Sequence, residues 1–172
     1  KYSYEILIKF MIIYFIYFLL SLFLFVIIYF LKFFNKKICE HINNYSSSLK
    51  NVLDAIKVID RKKTTILLFH AASAGEFEQL KPILSKINRK KYYIVQSFTS
   101  PTIFKKEYNN DLFDICCYHP LDFFWKSYSF FKKINPRAYI VTRHDIWPNH
   151  LFVTKILKIK SFYINANIHK NS

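Results

Sequence analysis

Glycine is almost missing from this chain, at 1 in 172 residues. Collagen-like and Gly/Ser-linker architectures are thereby excluded. There is no G-x-G-x-x-G fingerprint, and no Gly-Lys-Ser/Thr that would complete a Walker A loop. Cysteine is scarce and odd in number, at 3, which argues against a secreted disulfide scaffold. Two of the three, Cys116 and Cys117, are adjacent in a strand-like run. Their side chains should point to opposite faces and make a poor metal pair. The 6 His show no metal-ligand spacing. Acids are few as well: 11 Asp+Glu against 26 Lys+Arg leave a net charge of +15. What is abundant is apolar, 52% of residues, with 19 Phe and 13 Tyr. That content can bury a core, so a disordered tail is excluded. The length suits about one ordinary domain. The richness in Phe, Tyr, Ile, Asn and Lys has the look of a genome-wide bias, so no single Lys or Phe carries much weight.

Phe10 to Leu31 is an uncharged apolar run of 22 residues. As a helix it rises about 33 Å, enough for a hydrocarbon core of about 30 Å. A buried core helix would show a polar face. A cleavable signal peptide would be shorter and followed by small residues. Here Lys32, Lys36 and Lys37 follow, a basic stop flank. Only Lys1 and Lys9, offset by Glu5, precede it. The expectation is a single-pass anchor with the globular part in the cytoplasm, a compartment that suits reduced cysteines. The high positive charge sits beside this anchor, so membrane lipids are the expected partner and nucleic acid is not.

The sequence divides into an anchor at 1–34, a basic connector at 35–63 and a globular segment at 64–172. In the connector, Tyr45-Ser46-Ser47-Ser48 reads as a turn with Ser48 as helix N-cap. Leu49, Val52, Leu53, Ile56 and Ile59 follow with helical spacing. That short amphipathic helix is expected to pack on the globular part rather than lie on lipid. From 64 onward, strand-like runs (66–69, 92–98, 115–118, 138–141, 162–164) alternate with helix-like ones (76–88, 102–108, 121–134, 148–158). Such alternation predicts an α/β fold, a doubly wound, Rossmann-like parallel sheet with crossover helices. No internal repeat or low-complexity tract interrupts it.

Ligands of open parallel sheets bind at the carboxyl ends of the strands. The polar residues there are His70, Ser73, Gly75 and Glu76 after the first strand, and Thr99, Ser100 and Thr102 after the second. His119 and Asp122 follow the third. Arg143, His144, Asp145, Trp147 and Asn149 follow the fourth, and Asn165, Asn167 and His169 the fifth. The segment His70-Ala71-Ala72-Ser73-Ala74-Gly75-Glu76 is built of small residues and holds the single glycine. A small-residue turn lets a ligand approach the backbone, and the following helix offers free N–H groups. Two readings of Glu76 remain open: a reactive carboxylate, or an acid that stabilises the helix terminus. Thr99, Ser100 and Asp122 admit the same plain reading as helix caps.

The ordered set HAASAGE (70–76), Thr99-Ser100-Pro101-Thr102, Pro120-Leu121-Asp122, Asp145-Ile146-Trp147-Pro148-Asn149 and Asn165-Ala166 with Ser172 resembles the motifs of the bacterial lipid A Kdo transferases. The resemblance spans the anchor and 64–172. It departs at Arg143, where an acid is frequent, at Ile103, where glycine is frequent, and at Asn167, His169 and Asn171. The resemblance implies the N-terminal, acceptor-binding half of a GT-B glycosyltransferase at the cell inner membrane. Such an enzyme transfers 3-deoxy-D-manno-octulosonic acid (Kdo) from CMP-Kdo to a lipid A precursor. It implies Glu76 as general base and no metal or other cofactor in the site. The implied acceptor contacts are drawn from His70, Ser73, Gly75, Thr99, Ser100, Asp145, Trp147, Asn149 and Asn165. The donor-binding C-terminal domain of the family has no counterpart within 172 residues, so the chain is expected to be a fragment or to need a partner, and to be inactive alone. Competing expectations are another membrane-associated GT-B enzyme acting on a different lipid, and a non-catalytic lipid-binding module.

Overall fold

The computed structural model describes residues 2–142 and 147–164. Two helices, α1 (Tyr2–Leu31) and α2 (Lys36–Lys57), precede an alternating series. It runs β1 (Thr65–Ala71), α3 (Ala74–Leu84), β2 (Tyr92–Phe98), α4 (Pro101–Glu107) and β3 (Ile115–Tyr118), then α5 (Phe124–Ile134), β4 (Ala138–Thr142), α6 (Pro148–Ile156) and β5 (Lys160–Ile164). All strand pairings are parallel, in the order β3-β2-β1-β4-β5. This is the Rossmann-like, doubly wound α/β fold expected from the alternation. Strand order reverses between β1 and β4, so the ligand crevice of such a sheet opens between their carboxyl ends.

Alternating side chains divide the core into two layers. Ile66, Leu68, Val95, Tyr139 and Val141 pack under α2, α5 and α6, through Val52, Phe131 and Val153 among others. Phe69, Ala71, Ile94, Phe98 and Ile140 pack under α3 and α4, through Phe77, Leu80 and Ile103. Cys116 and Cys117 fall into opposite layers, as the period of two requires. Burial pushes the Cys116 thiol up to about 12, so it stays protonated.

The connector departs from the sequence-based expectation. No turn forms at 45–48: α2 is one 22-residue helix capped by Asn35, whose side chain accepts from Lys37 and Ile38 N–H. The serines are absorbed by bonding back along the helix, Ser47 Oγ to Asn44 O (3.0 Å) and Ser48 Oγ to Tyr45 O (2.9 Å). Ser48 Oγ also accepts the backbone N–H of Tyr118 at 3.1 Å. With Leu49, Val52 and Ile56 buried, α2 packs on the sheet rather than on lipid.

α1 is long and apolar enough to cross a membrane from Met11 to Leu31, and almost none of that stretch is buried. Its two sides differ. Ile12, Ile13, Ile16, Leu20, Phe23 and Val26 are exposed. Tyr14, Tyr17, Phe18, Ser21 and Phe25 share one face at helical spacing and lean on the globular part. Tyr14 Oη donates to Asn149 Oδ1 (2.8 Å) and Tyr17 Oη to Asp122 Oδ2 (2.6 Å). Phe25 meets Phe123 and Trp125 edge-on.

Candidate functional site

The first loop at the crevice is short because α3 starts at Ala74, directly after its cap. Ser73 is extended and its Oγ accepts the N–H of Glu76. Glu76 answers: its Oε2 accepts the N–H of Ala72 at 2.6 Å and of Ser73 at 3.3 Å. This reciprocal capping box satisfies helix-terminal donors that no carbonyl can reach. Glu76 is half-buried, and its other oxygen, Oε1, has no partner among the described residues. One oxygen is therefore structural and the other remains available to accept a proton. Gly75 is exposed, its φ is not in the left-handed region, and a Cβ placed there would meet nothing within 4 Å. Neither backbone strain nor packing against the described residues accounts for a glycine at 75. Open space in front of that backbone is what a close ligand approach requires.

The second and third loops place residues differently. Thr99 and Ser100 are partly buried beside α2, and Thr99 O accepts the Nδ1–H of His41 at 2.8 Å. Ser100 precedes α4 without a side-chain capping bond. Asp122 does not start its own helix, which begins at Phe124, three residues later than the spacing predicts, and leaves Asp122 outside it. It instead caps α6 from across the sheet edge, accepting Asn149 N–H (3.2 Å) on Oδ2 and His150 N–H (3.0 Å) on Oδ1. A carboxylate at a helix N-terminus meets its partial positive charge. His150 Nδ1 lies 2.6 Å from Asp122 Oδ1, a contact that is an ion pair only where the imidazole is protonated. Burial pushes the Asp122 carboxyl up, but the contacts from His150, Tyr17 and Asn149 outweigh it and hold it below the ordinary value.

Behind these loops lies a buried stack that the sequence did not signal. His70, His119 and His150 are fully or almost fully enclosed. His70 and His119 rings stack at 3.8 Å between centroids, and His119 and His150 at 4.7 Å. Ser97 Oγ donates to Phe69 O, so towards the rings it can only accept. It therefore takes Nδ1–H of His70 (3.1 Å) and of His119 (2.9 Å). That leaves His119 Nε2 to accept from Tyr139 Oη at 3.0 Å. Burial, then the neighbouring imidazoles, hold His119 well below the usual histidine range, so it is neutral. No group of three or more His, Cys, Asp or Glu able to hold a metal occurs among the described residues.

The residues singled out in the sequence thus separate. Ser73, Gly75 and Glu76 come together at the crevice, with Trp147 exposed at the start of α6. His70 is spent inside the stack. Asn149 is 0% exposed, and its Nδ2–H bonds Asp122 O at 2.6 Å while its Oδ1 is taken by Tyr14. Asp145 and Asn165, with Arg143, His144, Asn167 and His169, lie outside the described residues. Sequence reasoning placed His119 and Asp122 at the crevice but missed Asp122 as the hub, with Tyr17 and His150 bound to it. No local pattern announces an acid that caps a helix 27 positions away.

Against this geometry, comparison with known proteins is decisive. The family described as 3-deoxy-D-manno-octulosonic-acid transferase matches residues 45–172. The chain belongs to the Kdo transferase family. It is also similar to a 3-deoxy-D-manno-octulosonic acid transferase of Aquifex aeolicus (strain VF5), 35% identical over 98 residues. That alignment covers 54% of this chain and 26% of the relative. The matched family segment contains β1 to β5 and the capped loop, so the Kdo transferase assignment rests on the same part of the fold as the crevice.

Proposed function

We propose that this chain is the membrane-anchored acceptor half of a GT-B Kdo transferase. In this reading Kdo passes from CMP-Kdo to a lipid A precursor, with Glu76 as general base and no cofactor. The observation that carries it is the loop at the strand-order reversal. It presents one carboxylate oxygen of Glu76 that no described residue engages, beside a glycine that packing among the described residues does not require. An attacking sugar hydroxyl must shed its proton, and a carboxylate anchored by its other oxygen is placed to take it. Ser73, Gly75, Ser100 and Trp147 are the described residues open to an acceptor. His70 and Asn149 serve by positioning the loops. In this reading the donor is bound by the C-terminal half of the GT-B enzyme.

The test is Glu76→Gln in a complete enzyme carrying this domain. Gln also serves at the third position of a capping box, so the variant keeps the cap and loses only the base. The expected result is a fall in kcat of about 10²–10⁴-fold with acceptor binding nearly unchanged and the melting temperature within a few degrees. Near-normal kcat would make Glu76 a cap alone and direct the search to Asp145.

For the membrane we propose a single-pass α1 in the cell inner membrane with residues 32–172 on the cytoplasmic side. Impermeant thiol labelling of Ser172→Cys from the periplasm would overturn it. The docking of Tyr14 and Tyr17 favours a second arrangement, in which α1 lies along the domain with its outer face in lipid. A helix crossing upright gives up those bonds. A Tyr14→Cys/Asn149→Cys pair that oxidises readily in native membranes selects the lying arrangement, and its failure selects the upright one.

A further inference from the structure

At the amino ends of β1, β4 and β5 lies a polar cleft of about 300 Å³. β1 spans 7 residues, so the cleft sits about 20 Å from the crevice, at the opposite edge of the sheet. Arg61, Thr64, Thr65, Asn135, Arg137 and Lys158 supply its polar lining, and no acid lines it among the described residues. Two helices end here, and a free helix C-terminus repels an anion. Both ends are closed. Arg61 donates from Nη1 to Asn135 O (3.0 Å) and from Nη2 to Ile134 O (2.9 Å) at the end of α5. At the end of α6, the carbonyls of Val153, Thr154 and Lys155 accept the N–H groups of Leu157, Ile159 and Lys158. The lining is held by the backbone as well. Asn135 and Lys158 sit in left-handed turns at φ 47° and 56°, and Arg137 N–H bonds Ile66 O at 2.8 Å. The side chains of Thr64, Thr65, Asn135, Arg137 and Lys158 have no hydrogen-bond or ion-pair partner among the described residues. Asp60, beside Arg61 in sequence, is occupied by Lys62 N–H and Lys63 Nζ.

The cleft therefore offers three cations and two hydroxyls with nothing to bind. Arg61 spends two of its five donors on carbonyls, which leaves its charge unneutralised. Three such charges exceed what one carboxylate balances. They suit an anion with several charges on adjacent groups, and the guanidinium fork of Arg137 matches phosphate oxygens. No aromatic side chain lines the cleft, so it can hold phosphates without stacking a base. α1 leans on the first turns of α5 and α6, whereas the cleft lies past their last turns. Its occupant thus arrives from solution and not from the bilayer. We infer that the amino edge of the sheet binds a soluble di- or triphosphate group, held by Arg61, Arg137 and Lys158 with the hydroxyls of Thr64 and Thr65 donating. This does not depend on the transferase reading, since nothing at the crevice takes part.

The experiment titrates the full chain in dodecyl maltoside with pyrophosphate, by calorimetry at an ionic strength of about 0.15 M. Orthophosphate and magnesium-free ATP are titrated in parallel. The expected result is one saturable pyrophosphate site per chain, with orthophosphate bound about 10-fold more weakly or less. Arg137→Gln and Lys158→Asn change exposed side chains. Asn tolerates the left-handed backbone at 158. Each variant should weaken pyrophosphate binding about 10-fold, the effect of one lost charge-assisted hydrogen bond, and leave the melting temperature in place. A chain of net charge +15 also attracts anions generally. The control is therefore Lys50→Gln/Lys86→Gln, which removes two exposed charges on other faces and should leave the affinity unchanged. More than one pyrophosphate per chain, an equal loss in the control, or no saturation below about 1 mM would overturn the site. Displacement of pyrophosphate by ATP identifies a nucleotide tail as a source of the phosphates. Pyrophosphate binding that ATP does not displace identifies the free anion, and either source upholds the site.

Discussion

Two sets of loops leave the same edge of the sheet and are built in opposite ways. The β1–α3 loop is exposed and held by its own helix terminus: Ser73 and Glu76 cap each other within four residues. The β3–α5 loop and the start of α6 are buried and held by partners far away in sequence. Asp122 takes bonds from Tyr17, Asn149 and His150, 105, 27 and 28 positions off. A locally capped loop keeps its shape without enclosing it, which leaves Gly75 and one oxygen of Glu76 open to a ligand. A loop tied by long-range bonds gives rigidity at the cost of access. Chemistry belongs to the first kind and scaffolding to the second.

The sharpest way to break this contrast is Asp122→Ala. Removing one member of a buried charged set leaves the others unpaired, and about 3–5 kcal/mol of unfolding free energy should be lost. Denaturant melts of the full chain in detergent measure this. A loss under about 1 kcal/mol would mean the loop is no more locked than its neighbour.

Acid should separate the two sets next. His119 resists protonation when folded but takes a proton near 6.5 when unfolded. The unfolded state then binds more protons below that pH, so stability falls as pH drops below about 6.5. His41 acts in the same direction. Asp122 has a lowered folded value, so its contribution is full above the ordinary 3.8 and is lost as pH falls through that lower value. Stability measured from pH 8 to 3 should decline in these two stages, and His119→Gln should flatten the first. A profile unchanged by His119→Gln would remove the stack from the account.

Smaller effects sharpen the picture. Ser48→Ala takes the acceptor from the buried N–H of Tyr118 and should cost about 1–3 kcal/mol. Ser73→Ala removes only an exposed cap and should cost about 0.5–2 kcal/mol. If Ser73→Ala exceeded Ser48→Ala in the same melts, the first loop would owe its shape to more than its own cap.

The strands and helices after residue 64 are legible in the sequence because each buries one face, and burial imposes a period of two or near 3.6. Tyr92–Phe98 and Ile115–Tyr118 form strands over the limits their patterns predict. Glu76 is legible as an acid at a helix terminus, while its reciprocal cap with Ser73 starts the helix two residues earlier than the pattern predicts. The serines at 46–48 mislead because a hydroxyl bonds a turn or a helix carbonyl equally well, and only packing against β3 chooses between them.

Composition and periodicity by themselves determined the apolar helix, the parallel α/β domain and the small-residue loop at its carboxyl edge. These follow from short-range rules that hold wherever the chain is placed. Which oxygen of Glu76 is spent, which nitrogen of His41 carries the proton and which helix Asp122 caps were decided only by tertiary structure. Each depends on a donor or acceptor brought close by the strand order, and a hydrogen bond acts over about 3 Å of space regardless of distance along the chain.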